Sequence, residues 1–148
     1  MSELLIREAG EGDLERLLRL YTQLHEKTIP PLDDRIYIPW RRILADPGHH
    51  ILLGLVDGEA VSSCVLVVIP NLTRGGSPYA LVENVVTHAD YRGQGYASRL
   101  LDAARDMAGE AGCYKIMLLT GAKDDATLNF YRRAGYNSSD KTAFIQWL

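Results

Sequence analysis

The fold of this chain is decided by one stretch of sequence, Val85-Val86-Thr87-His88-Ala89-Asp90-Tyr91-Arg92-Gly93-Gln94-Gly95-Tyr96-Ala97-Ser98. An apolar segment that begins at Ala80 ends here, and a glycine-rich turn leads into a run with helical apolar periodicity. The first N–H groups of a helix have no acceptor within the helix. They point into the turn together with the positive end of the helix dipole. The pattern predicts an anion-binding turn that suits a phosphate or pyrophosphate.

The composition is typical of one globular domain, which we expect to span residues 1–148. Of the 148 residues 47% are hydrophobic and 24% charged, and the formal net charge of −3 gives no reason to expect a nucleic-acid partner. No apolar run reaches the roughly 18 residues of a membrane span, so we expect no membrane partner. Cys64 and Cys113 are isolated within apolar runs, which predicts buried free thiols, no metal site and a cytoplasmic protein.

The order of the predicted elements indicates antiparallel strands followed by a strand–helix–strand unit. Asp57-Gly58 predicts a tight hairpin, and the helix after the glycine turn would connect two parallel strands. The fold class is therefore α/β (α+β), with a mixed, mostly antiparallel sheet, one parallel βαβ unit and flanking helices. We predict strands over residues 4–7, 51–56, 60–69, 80–87, 114–119 and 141–148, and helices over residues 14–24, 33–46, 95–111 and 124–135.

The glycine turn differs from two well-known phosphate-binding turns. The three-glycine spacing of a dinucleotide-binding turn is missing, since Ala97 ends the run after Gly93 and Gly95, and no Gly-Lys-Ser/Thr follows as in a P-loop. What remains is the pattern Arg92-x-x-Gly95-x-Ala97.

This pattern and its surroundings resemble the GNAT superfamily of acetyl-CoA-dependent N-acetyltransferases. The superfamily motif Gln/Arg-x-x-Gly-x-Gly/Ala is matched by Arg92, Gly95 and Ala97, and the resemblance extends over nearly the whole chain. It includes the strand Glu83-Asn84-Val85-Val86-Thr87 and the helix end Asn129-Phe130-Tyr131-Arg132-Arg133-Ala134-Gly135-Tyr136. Within the superfamily, Glu83-Asn84-Val85-Val86 and Gly112-Cys113-Tyr114-Lys115-Ile116 are most similar to the glucosamine-6-phosphate branch.

The resemblance implies that acetyl-CoA is the acetyl donor and that no metal takes part. Backbone N–H groups of the turn would hold the CoA pyrophosphate, and the strand before it would pair with the pantetheine arm. The alternative is that the glycines only make a tight strand–helix connection. The residues implied in cofactor binding are Val85, Val86, Thr87, Arg92, Gly93, Gln94, Gly95, Tyr96, Ala97, Ser98 and Asn129.

Two residues are candidates for the chemistry. An alkyl amine is mostly protonated at neutral pH, so a carboxylate such as Glu83 could take its proton directly or through a water. Glu83 could equally form a salt bridge or lie on a solvated strand face. By the resemblance, the Tyr131 hydroxyl would protonate the departing thiolate, although a half-buried helix tyrosine is common for structural reasons alone.

The acceptor is the part of the reaction that the sequence specifies least. We predict direct transfer to the primary amine of a small molecule, with an amino-sugar phosphate as one candidate. A protein or peptide N-acetyltransferase and a catalytically silent CoA-binding module are the alternatives. We expect a homodimer through the C-terminal strand or the loop over residues 70–78. The candidate substrate-binding residues are Glu83, Asn84, Arg74 and Tyr37.

Overall fold

A five-stranded mixed sheet with strand order β1-β2-β3-β4-β5 organises the chain. The computed structural model describes residues 2–148. The first three pairings are antiparallel and the last is parallel, which confirms the predicted fold class with its βαβ unit. The strands are β1 (Leu5–Glu8), β2 (His49–Val56), β3 (Glu59–Ile69), β4 (Tyr79–Thr87) and β5 (Ile116–Leu118).

Within residues 2–148, five α-helical segments flank the sheet. Helix α4 is the crossover between β4 and β5, and α5 ends at a glycine in the left-handed region, Gly135 with φ 101°. Leu100, Leu101, Ala104 and Ala108 of α4 pack on one face of the sheet, and α1 and α2 pack on the other. The helices are α1 (Leu14–Tyr21), α2 (Asp34–Ala45), the single turn α3 (Thr73–Gly76), α4 (Tyr96–Glu110) and α5 (Asp125–Arg133).

The half of the sheet made by β1, β2 and β3 contains most of the core. Residues 51–56 of β2 are buried without interruption, as expected of a strand that is covered on both faces. Leu53 is 0% exposed and packs with Leu17 and Trp40 on the α1–α2 side, whereas Leu52 packs with α4. Because these three strands are anchored in the core, they fix the position of β4 and β5 in the sheet.

The predicted strand over residues 114–119 is shorter than expected. Only Ile116–Leu118 pair with β4, and all three are half-buried rather than covered on both faces. Tyr114 and Leu119 are exposed. The apolar run therefore forms an edge strand, because no further strand of the described chain lies beside it.

The predicted terminal strand over residues 141–148 is wrong for this chain taken alone. The segment pairs with no strand within residues 2–148, and its large apolar side chains lie in solvent. Phe144 is 91% exposed and Trp147 is 85% exposed. A strand requires a neighbouring edge to satisfy its backbone, and the segment does not reach one.

Helix α1 begins at Leu14, as predicted, but without a side-chain cap and with an earlier end than predicted. Asp13 precedes the helix, but its carboxylate turns away from the helix N–H groups. It accepts hydrogen bonds from the Gly10 N–H at 2.7 Å and from the Arg7 guanidinium at 2.7 and 3.0 Å. Arg7 thereby holds the pKa of Asp13 below its usual value. The helix ends at Tyr21, one turn earlier than the apolar spacing suggested.

Two further expectations concern membranes and thiols. Within residues 2–148, the helices are too short or too polar to cross a membrane. Cys64 and Cys113 are both free, but only Cys64 is fully buried, whereas Cys113 is half-buried. Burial raises the pKa of the Cys64 thiol to about 12.

Candidate active site

Strand β4 has a neighbouring strand on both sides in its first half and on one side only in its second half. Its pairing with β5 ends at Val82, so the backbone from Glu83 to Thr87 has no strand on that side. A bulge begins at the same point, where Asn84 and Val85 together lie opposite Cys64. Asn84 has φ 51°, in the left-handed region that few residues other than glycine adopt. The half of β4 after Val82 therefore offers free backbone groups to an extended ligand.

The glycine turn continues directly from this free edge. Gly93 has φ 76° and Gly95 has φ 80°, conformations that favour glycine. A Cβ atom placed at either position would meet nothing within 4 Å, so open space lies in front of the turn. The N–H groups of residues 93–98 have no acceptor within residues 2–148. At the start of the 15-residue helix α4, this array suits a pyrophosphate.

Side chains around the turn hold it in place and leave its inner N–H groups free. The Arg92 Nε donates to the Thr87 carbonyl at 3.0 Å, which ties the turn to the end of β4. The Ala89 N–H donates to the Gln23 side chain at 3.1 Å, which ties it to the end of α1. His88 accepts from the Asp90 N–H at 3.1 Å and is thus engaged in the turn.

Glu83 lies on the open face of β4. Strand alternation places it on the same face as Tyr79 and Leu81, whereas Ala80 and Val82 face α4. Its side chain is exposed, and no Lys, Arg or His nitrogen of residues 2–148 lies within 4.0 Å of its carboxylate. The salt-bridge alternative is therefore not realised, and the carboxylate is free to meet an ammonium group.

Tyr131 is half-buried on α5 and packs against the α4 core cluster. Its ring contacts Phe130 edge-to-face, with a centroid distance of 5.1 Å, and that of Tyr136 at 6.5 Å. Burial raises the pKa of Tyr131, so its hydroxyl keeps its proton beyond its usual range. Such a group can give a proton to a departing anion. Asn129, two residues earlier on α5, is exposed and accepts a hydrogen bond from Arg132 at 2.9 Å.

The residues predicted to bind the acceptor substrate do not cluster at one site. Asn84 of β4 faces Tyr21, which belongs to α1. Burial raises the pKa of Tyr21 to about 12, although its contact with Asn84 acts in the opposite direction. Tyr37 is half-buried in the α1–α2 cluster and carries the Arg41 guanidinium 5.5 Å above its ring. Arg74 lies at the opposite end of β4, beside Tyr114.

Sequence reasoning missed three residues that the structure places around these candidates. Tyr21 falls within the predicted helix over residues 14–24, and the structure places it against the bulge at Asn84. Tyr79 and Lys115 lie at the starts of β4 and β5 and contact each other as cation and ring. A lysine inside an apolar run was the one available signal, since the contacts join residues far apart in the chain.

Comparison with known proteins gives consistent matches over most of the chain. The model of the acetyltransferase (GNAT) family matches residues 14–136. A glucosamine 6-phosphate N-acetyltransferase of Trypanosoma brucei brucei is 30% identical over 141 residues, covering 94% of this chain and 92% of that protein. A thialysine N-epsilon-acetyltransferase of Sus scrofa is 28% identical, covering 91% and 85% respectively.

Solved structures show the same similarity. A protein of Agrobacterium tumefaciens, named as a candidate acetyltransferase, has a TM-score of 0.87 and 38% identity. The match covers 97% of this chain and 99% of that one. The free β4 edge, the glycine turn and Tyr131 thus occur in a chain whose relatives carry acetyltransferase names.

Proposed function

Because the chain belongs to the GNAT family of acetyltransferases and is an acetyl-CoA-dependent acyltransferase, we propose that it acetylates the primary amine of a small molecule by direct transfer. The observation that carries the proposal is a continuous stretch of backbone with unpaired hydrogen-bonding groups. The unpaired edge of β4 from Glu83 to Thr87 leads into a turn whose N–H groups at residues 93–98 are free. An extended donor with an anionic end fits such a track.

The residues present fit acetyl-CoA as the co-substrate. Gly93 and Gly95 leave open space for a pyrophosphate, and the free N–H groups before and within the first turn of α4 would donate to it. The β4 backbone from Val85 to Thr87 would pair with the amide groups of the pantetheine arm on the side that β5 leaves free. Acetyl-CoA would supply an acetyl group on a thioester, and the Val85 or Val86 N–H would polarise its carbonyl oxygen.

The chemistry requires one bond to form and one to break. The amine nitrogen bonds to the acetyl carbon, and the bond between that carbon and sulfur breaks. Glu83 accepts the proton that the amine loses, directly or through a water, and releases it to solvent. Tyr131 gives its proton to the sulfur and recovers one from solvent, so that the products are an amide and a free thiol.

An amino-sugar phosphate is our candidate acceptor. The relative from Trypanosoma brucei brucei is named for glucosamine 6-phosphate and covers nearly the whole chain. Glu83 is a free carboxylate on an open strand face, which suits a small ammonium group. A peptide acceptor and a CoA-binding module without catalysis are distinguished from this proposal by the experiment that follows.

The test is acetyl transfer by the purified chain with acetyl-CoA and a panel of amino sugars, amino acids and peptides. We expect release of CoA thiol that requires a small amine, and an N-acetyl product by mass spectrometry. Binding of acetyl-CoA without turnover would indicate the silent module, and turnover with peptides alone would indicate the peptide enzyme.

A matched pair of variants tests the role of Glu83. We expect Glu83→Gln to lower kcat/KM at least tenfold at neutral pH. The kcat/KM of the variant should recover as pH rises, because the amine then loses its proton unaided. Glu110→Gln, at the exposed end of α4, makes the same change of charge away from the site. Equal rates for the two variants would remove Glu83 from the mechanism.

We further propose that two copies of the chain form a homodimer through the exposed C-terminal segment, residues 141–148. A cleft of about 940 Å³ lies beside the outer edge of β5, between α5 and the segment, and includes Met117, Leu119 and Leu128 in its lining. The segment of a second copy brings Phe144, Ile145 and Trp147, which are exposed in a single chain. An edge strand with free backbone groups readily accepts such a segment.

Sedimentation of the full chain tests the homodimer. We expect a dimer for the wild type and a monomer for Phe144→Asp combined with Trp147→Asp. Because both side chains are exposed in one chain, the change does not disturb the core of that chain. A monomeric wild type would overturn the proposal.

A further inference from the structure

Two cations and two aromatic rings form a compact cluster at the starts of β4 and β5. The Lys115 Nζ lies 5.1 Å from the ring centroid of Tyr79 and 5.3 Å from that of Tyr114. The Arg74 guanidinium lies 5.3 Å from the same Tyr114 ring. The two rings meet edge-to-face with centroids 6.3 Å apart. We call these four residues the cation–ring cluster.

The two positive charges of the cation–ring cluster have no carboxylate partner. Within residues 2–148, no Asp or Glu oxygen lies within 4.0 Å of Arg74 or Lys115, whereas Arg7 and Arg105 do form such pairs. Ring faces attract cations but do not neutralise them. Two like charges beside one ring therefore create a positive potential that an anion would relieve.

The backbone places Arg74 in the cluster at a cost. Arg74 has φ 55° and ψ 41°, and it is followed by Gly75 and Gly76, which also have positive φ. A non-glycine residue in this region is uncommon and its backbone is strained. The Arg74 side chain is exposed, and the loop places its guanidinium beside the Tyr114 ring.

The cation–ring cluster lies on the face of β4 that carries Glu83. Tyr79 and Glu83 are four residues apart on that face, which is roughly 13 Å along the strand at about 3.3 Å per residue. The same face therefore presents a free carboxylate at its middle and two unpaired cations at its start. Long side chains at both positions shorten the distance that a ligand must span.

We propose that Arg74, Lys115, Tyr79 and Tyr114 form a subsite for an anionic group of the acceptor. The acceptor is then an elongated zwitterion, with its primary amine at Glu83 and a phosphate or carboxylate at the cluster. A diamine of equal length is disfavoured, because its second ammonium would face two cations. This inference rests on the proposed function and names the acceptor class for the same site.

The test compares acceptors that differ only in their anionic group. Glucosamine 6-phosphate is paired with glucosamine, and lysine is paired with cadaverine, which is lysine without its carboxylate. We expect the anionic member of at least one pair to have a kcat/KM about tenfold or more above its partner, since a charge-assisted contact is worth that factor. The pair that responds identifies phosphate or carboxylate as the preferred group.

Two variants locate the effect in the cation–ring cluster. Lys115→Met keeps the length of the side chain and removes its charge, and Arg42→Met removes a charge from the exposed face of α2. We expect Lys115→Met to raise KM for the anionic acceptor about tenfold without raising it for the partner that lacks the anionic group, and Lys115→Arg to restore most of the affinity. Unchanged binding of acetyl-CoA shows that the variants are folded.

The outcomes separate this inference from the proposed function. If the wild type acetylates amines with no preference for the anionic members, the subsite is overturned and the proposed function stands. Equal effects of Lys115→Met and Arg42→Met also overturn the subsite. If no amine is acetylated while acetyl-CoA binds, the proposed function itself fails.

Discussion

The two halves of the sheet differ in how completely their strands are paired by backbone hydrogen bonds. Strands β1, β2 and β3 are paired with one another over most of their length and are covered by α1 and α2 on one face and α4 on the other. Strand β4 is paired with β3 but shares only three residue pairs with β5. Within residues 2–148, the β4 backbone from Glu83 to Thr87 on the β5 side and the outer edge of β5 pair with no strand. The first half holds the fold together, and the second offers its free donors and charges to ligands.

This difference separates stability from activity. In the paired half, apolar side chains are buried on both faces, and removing one leaves a cavity. In the open half, Glu83, Asn84 and the turn residues are exposed, so their side chains add little to the free energy of unfolding. Substitutions in the two halves should therefore affect different measurements.

The largest effect on stability is expected at Leu53. Leu53→Ala removes a side chain that is 0% exposed, which should lower the free energy of unfolding by about 3 kcal/mol. Leu119→Ala, which truncates a side chain 52% exposed beside β5, should change it by less than about 1 kcal/mol. Urea unfolding measures both, and similar losses would show that the two halves are equally packed.

The largest effect on catalysis is expected at Tyr131. Tyr131→Phe removes the proton donor and should lower kcat about a hundredfold, with the affinity for acetyl-CoA unchanged. Tyr136→Phe is the matched control, because its buried hydroxyl has no hydrogen-bond partner within residues 2–148 and should be dispensable. Steady-state kinetics of the two variants decides the matter, and an unchanged kcat for Tyr131→Phe would contradict the assigned role.

An ion pair in the half of the sheet made by β1, β2 and β3 should make the free energy of unfolding depend on pH. Asp13 is 5% exposed and has a lowered pKa, first through its hydrogen bonds with Arg7. Its stabilising effect is present above the unfolded pKa of about 3.9 and is lost as pH falls through the lower folded pKa. Asp13→Asn should cost about 2 kcal/mol at pH 7, and the difference from wild type should shrink below about pH 4. A difference independent of pH would refute this.

The smallest of the four effects is expected at the glycine turn. Gly95→Asp should weaken binding of CoA about tenfold more than Gly95→Asn, since only aspartate places a negative charge beside the pyrophosphate. Both side chains tolerate the left-handed backbone better than other residues, so the pair isolates charge from strain. Titration calorimetry measures the two affinities, and equal values would mean that the turn is only a connection.

Much of the fold could be predicted because its signals are local. The hairpin at Asp57-Gly58, the helix α4 after Gly95 and the start of α5 at Asp124 each depend on neighbouring residues. The predictions failed where an element depends on a partner. β5 is short and residues 141–148 form no strand, since an apolar run does not say which edge will lie beside it.

The sequence by itself determined the glycine turn, the strand that leads into it and the candidacy of Glu83 and Tyr131, because each belongs to one continuous stretch. Only the tertiary structure decided that β4 separates from β5 after Val82. It also decided that Asn84 bulges towards Tyr21 and that Arg74 and Lys115 meet at one ring. The reason is physical: spacing along the chain specifies local hydrogen bonds, whereas contacts between distant segments arise only when the core brings those segments together.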